Sequence, residues 1–255
     1  MRMLTRLVLG LLSSLTCTLI VTGQIKEGEC WEYRGKMGDN VEIGMSLSMQ
    51  DGRLQGNYFY VKNLKDITLS AQDVTERDIT LDEHDSSGNL QGTFRLRFVE
   101  TDPELKSDKP LTVDILRGDW VRADGKLDLP VRLSLQYSCN IVGSQRSGYG
   151  VAGGTSDELV EKNVQGFYFA VLRGDKEEAA KFVSFPLSFS LNKQSKTVHN
   201  RAAFLRYYDQ IFTKAFQAKI AKGIPHHMFA NWQGIMIGNG EVWFDENGKA
   251  RHFNN

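Results

Sequence analysis

The side chains best suited to chemistry lie mostly in the C-terminal half: His226 and His227 side by side after Pro225, His252 in an aromatic stretch, and His199, Asp209, Tyr207 and Tyr168. Imidazoles and carboxylates hold protons or metals, so these are the groups an acid–base or metal site would use. Their spacing argues against it. His226 and His227 follow Pro225 at a loop, and adjacent histidines on a strand would point to opposite faces and share one metal only with help from further ligands. The half that holds them has no cysteine, and neither H-E-x-x-H nor G-x-S-x-G occurs. Asp209 reads as the solvated flank of a helix, and His252 beside Trp243 as packed and hydrogen-bonded. Asp82-Glu83-His84-Asp85 reads as a solvated strand end before the Ser86-Ser87-Gly88 turn, since Asp82 and His84 would share one face while Glu83 and Asp85 point away. Gly148-x-Gly150-x-x-Gly153 has the glycines of a dinucleotide loop, but no βαβ unit follows and the match is set aside. No catalytic residue, metal ligand or cofactor is assigned.

Recognition asks for different residues. Trp232, Met236, Trp243 and His252, with Asn231 and Gln233, are of the types enriched where proteins bind partners or ligands. Their placement depends on the stretch Trp232–Phe253, which carries Asn239-Gly240 and Asn247-Gly248 between strand-forming residues. Asn-Gly predicts two-residue type I′ turns, and two of them define a three-stranded meander. Ile235, Ile237, Val242, Phe244 and Phe253 are expected on one face and the row Met236–Trp243–His252 on the other. The register pairs Ile237 with Val242, Met236 with Trp243, Ile235 with Phe244, Val242 with Phe253, Trp243 with His252 and Phe244 with Arg251. A sheet apolar on both faces must be covered on both.

Residues 1–23 have a signal peptide's three parts: basic Arg2 and Arg6, apolar Leu7–Ile20, and Val21-Thr22-Gly23 as the cleavage site. The apolar run is too short and too interrupted to span a bilayer comfortably, so stable membrane insertion after cleavage is not expected. A lipoprotein modified at Cys17 and an uncleaved N-terminal anchor are the lesser alternatives. Localisation is therefore expected to be periplasmic or secreted. Residues 1–23 hold two of the 31 Lys and Arg and none of the 31 Asp and Glu, so the remainder carries a net charge of −2. Such a near-neutral chain lacks the electrostatic footprint of a nucleic-acid binder. Cys30 and Cys139 are left, and in an oxidising compartment an even pair predicts a disulfide. It would join the two ends of a first domain, with a stabilisation of roughly 4–5 kcal/mol in the chain-entropy view.

Residues 24–142 read as β throughout. Val41–Met49 and Arg53–Val61 flank the Asp51-Gly52 turn, and Gly52-Arg-Leu-Gln-Gly56-Asn-Tyr58 recurs as Gly88-Asn-Leu-Gln-Gly92-Thr-Phe94 and, shortened, at Leu116-Arg-Gly118-Asp-Trp120. Each copy places Gly where the sheet bends and an aromatic residue two positions on. Pro103 and Pro110 bracket a charged loop. About eight short strands predict a small barrel or sandwich. Residues 143–156 are Gly- and Ser-rich and read as a linker. From 157 to 255 the pattern is α+β: a capping box at Thr155-Ser-Asp-Glu158, a helix to Gly174, a short helix from Asp175 to about Phe182, a strand over Phe185–Leu191, and a helix capped by Asn200 running toward Gly223.

A helix ending in Phe167-Tyr-Phe-Ala-Val-Leu-Arg-Gly-Asp175, then a short helix, a strand, a capped helix and closing antiparallel strands, resembles the nuclear transport factor 2-like, cone-shaped α+β fold. The first domain resembles the repetitive β domains of bacterial envelope proteins. The resemblance implies helices packed on a curved antiparallel sheet around a pocket, where enzymes of the class place an acid or base; no enzyme motif of that class is recognisable here. Overall the fold is expected to be α+β, an all-β domain followed by an α+β domain. The expected function is an exported, non-enzymatic binding protein, an inhibitor or immunity partner of an envelope-acting hydrolase or toxin. The alternative is an enzyme or small-ligand binder using the cone pocket.

Overall fold

The computed structural model describes residues 26–75, 77–99, 115–140, 148–191 and 194–255. The expected signal peptide, the loop between Pro103 and Pro110 and the first part of the expected linker lie outside them. Eight strands come first: β1 (Glu29–Met37), β2 (Val41–Gln50), β3 (Arg53–Tyr60), β4 (Ile67–Val74), β5 (Asp78–His84), β6 (Leu90–Val99), β7 (Ile115–Arg122) and β8 (Asp128–Asn140). Each pairs antiparallel with the next, and β8 returns to β1, closing a barrel. Closure removes the free edges that an open sheet would expose.

Alternation along the strands sorts the side chains. Trp31, Tyr33 and Met37 of β1, Met45 and Leu47 of β2, Tyr58 of β3 and Phe94 of β6 fill the interior. The intervening Glu32 and Arg34 of β1 and Phe59 of β3 point outward. The repeated Gly-x-aromatic pattern belongs to the interior: Tyr58, Phe94 and Trp120 are all buried. A Cβ on Gly92 would lie 2.4 Å from the Trp120 ring and one on Gly118 would lie 1.9 Å from the Arg95 carbonyl oxygen, so these positions need glycine for close approach. The Asp51-Gly52 turn joins β2 to β3 as expected and has positive φ at both residues (51° and 68°), which is type I′ geometry. Cys30 and Cys139 face each other across β1 and β8 and are disulfide-bonded, with Cα atoms 4.9 Å apart.

The C-terminal half holds helices α1 (Asp157–Arg173), α2 (Lys176–Ala179), α3 (Arg201–Ile211) and α4 (Lys214–Ile220). Its strands are β9 (Val183–Leu191), β10 (Gln194–Val198), β11 (Phe229–Asn231), β12 (Gly234–Ile237), β13 (Val242–Phe244) and β14 (Ala250–Phe253). They form one sheet in the order β10-β9-β14-β13-β12-β11, in which only the β14–β9 pair is parallel. The sequence pattern missed β10 and β11, both short. Helix α1 is capped by Ser156, whose hydroxyl accepts from the Leu159 N–H, one residue later than the Thr155 box expected. Asn200 caps α3 as expected. The helix from Asn200 does not run on toward Gly223: Thr213 caps a separate α4.

The meander register holds across the first turn, with Ile235, Met236 and Ile237 opposite Phe244, Trp243 and Val242. Neither Asn-Gly pair makes a type I′ turn, because positive φ is confined to Gly240 and Gly248, with neither Asn239 nor Asn247 joining them. At the second, the Gly248 N–H donates to the Asp245 carbonyl and the Asp245 N–H donates to that of Lys249, a type I turn closed by a left-handed glycine. The resulting bulge shifts the register by one, so Phe244 faces Ala250 instead of Arg251. Met236, Trp243 and His252 still align on one face, and Ile235, Ile237, Val242, Phe244 and Phe253 are buried on the other against the helices.

No described helix is long and apolar enough to cross a membrane.

Candidate functional site

Where the barrel wall meets the C-terminal half, charged groups from distant parts of the chain converge. Outward-facing Glu32 and Arg34 come from β1 and Asp66 from the loop after β3. Glu161 comes from α1, and His226 and His227 from the loop before β11. His226 bridges two carboxylates: Nδ1 lies 2.5 Å from Glu161 Oε2, and Nε2 lies 3.0 Å from Asp66 Oδ1. His227 does likewise, with Nδ1 3.3 Å from both Glu32 oxygens and Nε2 3.0 Å from Asp66 Oδ2. One Asp66 carboxylate thus meets both Nε2 atoms.

The expectation that these neighbouring rings diverge is corrected by the backbone. They sit in a loop, and His227 has φ +47°, a left-handed conformation uncommon outside glycine. That bend brings the rings to 4.4 Å between centroids. The loop is held in place from several sides. Arg34 donates to the carbonyl oxygens of both His226 and His227, and the Tyr137 hydroxyl donates to that of His227. The His227 N–H donates to Glu161 Oε1, the Tyr149 hydroxyl donates to the same oxygen, and the Met228 N–H donates to Tyr149 Oη. Phe59 closes the inner side, edge-on to His226 with centroids 4.4 Å apart and beneath the Arg34 guanidinium.

Three carboxylates and one guanidinium leave this region short of positive charge. Burial alone would depress the His227 imidazolium, but Glu32 and Asp66 outweigh it and hold its pKa up at about 10. His226 is raised for the same reason, Asp66 and Glu161 overcoming burial. Burial would raise the two carboxyls, yet the histidines hold Asp66 well below the usual carboxylate range and lower Glu161. Tyr149 and Tyr137 are pushed up by burial and by the nearby Glu161 and Glu32 carboxylates. With both histidines protonated, every ring N–H has an acceptor and the charges of the cluster cancel. A cleft of about 660 Å³ opens beside it, lined by Arg34, Tyr137, His227, Phe229, Met236 and Lys222 among others.

No protein-family model matches this chain, and no curated protein or solved structure matches it significantly.

The residues expected to bind from sequence lie elsewhere, apart from Met236. Trp232, 81% exposed, stands at the tip of the turn joining β11 to β12. The Asn231 side chain accepts from the Gln233 N–H and so shapes that turn, while Arg251 donates to the Gln233 carbonyl. Met236, Trp243 and His252 are partly exposed in one row on the sheet face away from the helices. Met236 also lines the cleft, the one point where the expected surface and the charged cluster approach. His252 is hydrogen-bonded as expected, Nδ1 2.7 Å from Ser188 Oγ and Nε2 2.9 Å from Asn254 Oδ1. Asp209 is a solvated flank paired with Lys176, 3.4 Å away. Glu83, expected in a solvated strand end, instead accepts from the Tyr58 hydroxyl at 2.8 Å and the Trp120 N–H at 3.0 Å.

Sequence reasoning missed Glu32, Asp66 and Glu161. The available signal was weak: Glu32 and Arg34 alternate with Trp31 and Tyr33, and charges on the outer face of a strand usually meet water. Residues 148–154, expected to be linker, include the buried Tyr149, whose hydroxyl reaches Glu161, so this end of the segment is packed.

Proposed function

We propose that the protein is exported and acts as a non-enzymatic binding protein, with residues 157–255 in a nuclear transport factor 2-like arrangement and the Trp232 turn beside the Met236–Trp243–His252 face as its recognition surface. In concrete form it inhibits an envelope-acting hydrolase or toxin. The element order, with helices packed on one face of a mixed six-stranded sheet, supports the fold assignment. The Cys30–Cys139 bond fits an oxidising compartment.

The observation that carries the reading is the state of the cone interior. Phe167, Phe204, Phe212, Phe244 and Phe253 are buried there and pack ring against ring, Phe212 on Phe253 at 5.1 Å and Phe167 on Phe253 at 5.8 Å. The enzyme or small-ligand alternative needs that space open, and aromatic rings fill it. Recognition is therefore assigned to the outer surface, where a tryptophan left in water supplies large contact area at small entropic cost.

Capture from an envelope extract with the tagged protein tests this. A stoichiometric protein partner, lost on Trp232→Ala, is the expected result. Repeated capture without a partner would count against it, and turnover that disappears on Asp209→Asn would favour the enzyme reading.

A further inference from the structure

We propose that Asp66, His226 and His227 form a binding site for a divalent transition-metal ion of the zinc class, joining the barrel to the C-terminal half. This stands independently of the recognition surface above.

The geometry is that of a prepared ligand set. One ligand atom from each of Asp66, His226 and His227 lies within 4.8 Å of the other two. His226 Nε2 lies 3.0 Å from Asp66 Oδ1 and His227 Nε2 3.0 Å from Asp66 Oδ2, each near the roughly 3.3 Å between ligand atoms of a tetrahedral shell with bonds of about 2.0–2.1 Å, so that the carboxylate can offer one oxygen or both. The opposite nitrogen of each ring is engaged by a carboxylate: Glu161 for His226 and Glu32 for His227. Metal-binding histidines almost always donate their other N–H in this way, which fixes the tautomer and aims the free lone pair. Two such rings aimed at one carboxylate is more than an ion-pair clasp requires. A divalent ion would replace the two Nε2 protons with equal charge, so the balance with Glu32, Asp66, Glu161 and Arg34 is kept.

The loop is also fixed in advance. Its carbonyl oxygens are bound by Arg34 and Tyr137 and its N–H groups by Glu161 and Tyr149, so little ordering is left for the ion to impose. Two nitrogen donors and one oxygen select zinc, cobalt, nickel or copper over magnesium and calcium, which take oxygen ligands. Asp66 is the most accessible ligand, its side chain 38% exposed against 6% and 15% for the histidines. Entry is therefore from the Asp66 side, and water completes the shell.

Titration of the chelator-stripped full chain with Zn²⁺ and Co²⁺ tests the site, by calorimetry and by cobalt absorption. One ion per chain is expected, with intense visible cobalt bands of a four- or five-coordinate site that excess Zn²⁺ abolishes, and with no binding of Mg²⁺. Asp66→Asn and His227→Gln should each weaken binding about 100-fold or more, and Glu161→Gln about 10–100-fold, while His199→Ala, at an exposed position far along the chain, should not change it. Absence of binding, a purely aqueous cobalt spectrum, or affinity unaltered in His227→Gln would overturn the proposal. Should the variants fail to fold, nitrogen NMR of the histidines in the unaltered chain decides it. Zinc must shift the Nε2 resonances of His226 and His227, and unshifted resonances would refute the site.

Discussion

The interior between the C-terminal helices and sheet and the seam between that half and the barrel are built from opposite materials. The interior of the C-terminal half is packed with phenylalanines, whose attraction depends on area removed from water and tolerates small changes of angle. The seam is packed with Glu32, Arg34, Asp66, Glu161, His226 and His227, whose desolvation is offset only when each group meets its partner at hydrogen-bond distance. The contrast separates two roles. The aromatic cluster supplies cohesion within one half, whereas the charged cluster selects one orientation of the halves relative to each other, since sliding either by an ångström or two would orphan several ionised groups.

The sharpest test of that division is Phe253→Ala, which removes a ring touching Phe167, Phe204 and Phe212. It should cost about 3–5 kcal/mol by denaturant unfolding, and a loss below about 1 kcal/mol would mean this core is looser than its packing indicates. Replacing Cys30 and Cys139 by serine opens the covalent closure of the barrel on its first and last strands. A loss of about 2–4 kcal/mol is expected, without effect on the orientation of the halves. Glu161→Gln keeps the volume but takes away the charge that faces His226 and the His227 N–H. We expect about 1.5–3 kcal/mol, together with faster hydrogen exchange over residues 226–228 and around Asp66, while the barrel interior stays protected. Uniform loosening of the whole chain instead would erase the distinction between the two regions. Trp232→Ala lies outside both and should change stability by less than about 0.5 kcal/mol, so any binding it abolishes reports on recognition alone.

What could be read in advance follows the range of the interactions. The barrel strands were legible because alternation and turn residues are local, and the Gly-x-aromatic repeats marked interior positions that coordinates place around Tyr58, Phe94 and Trp120. The first meander pairing was legible for the same reason. The second was misread by one residue at Phe244, because Asn-Gly is compatible with a type I turn plus a left-handed glycine as well as with type I′. Both caps at Ser156 and Asn200 lay within a residue of their signals. Candidate site residues were another matter. The row Met236–Trp243–His252 came from strand alternation, while the charged cluster went unseen, its members separated by up to 195 residues.

The amino-acid order alone therefore determined a β half joined to an α+β half, the pairing of Cys30 with Cys139, and which side chains share the outer face of the last strands. Each depends on neighbours a few positions away or on how few cysteines the chain carries. Tertiary structure decided that His226 and His227 turn toward one carboxylate. That outcome needs a left-handed backbone at His227, and the hydrogen bonds stabilising it come from Arg34, Tyr137, Tyr149 and Glu161, groups that only the docking of the two halves brings together.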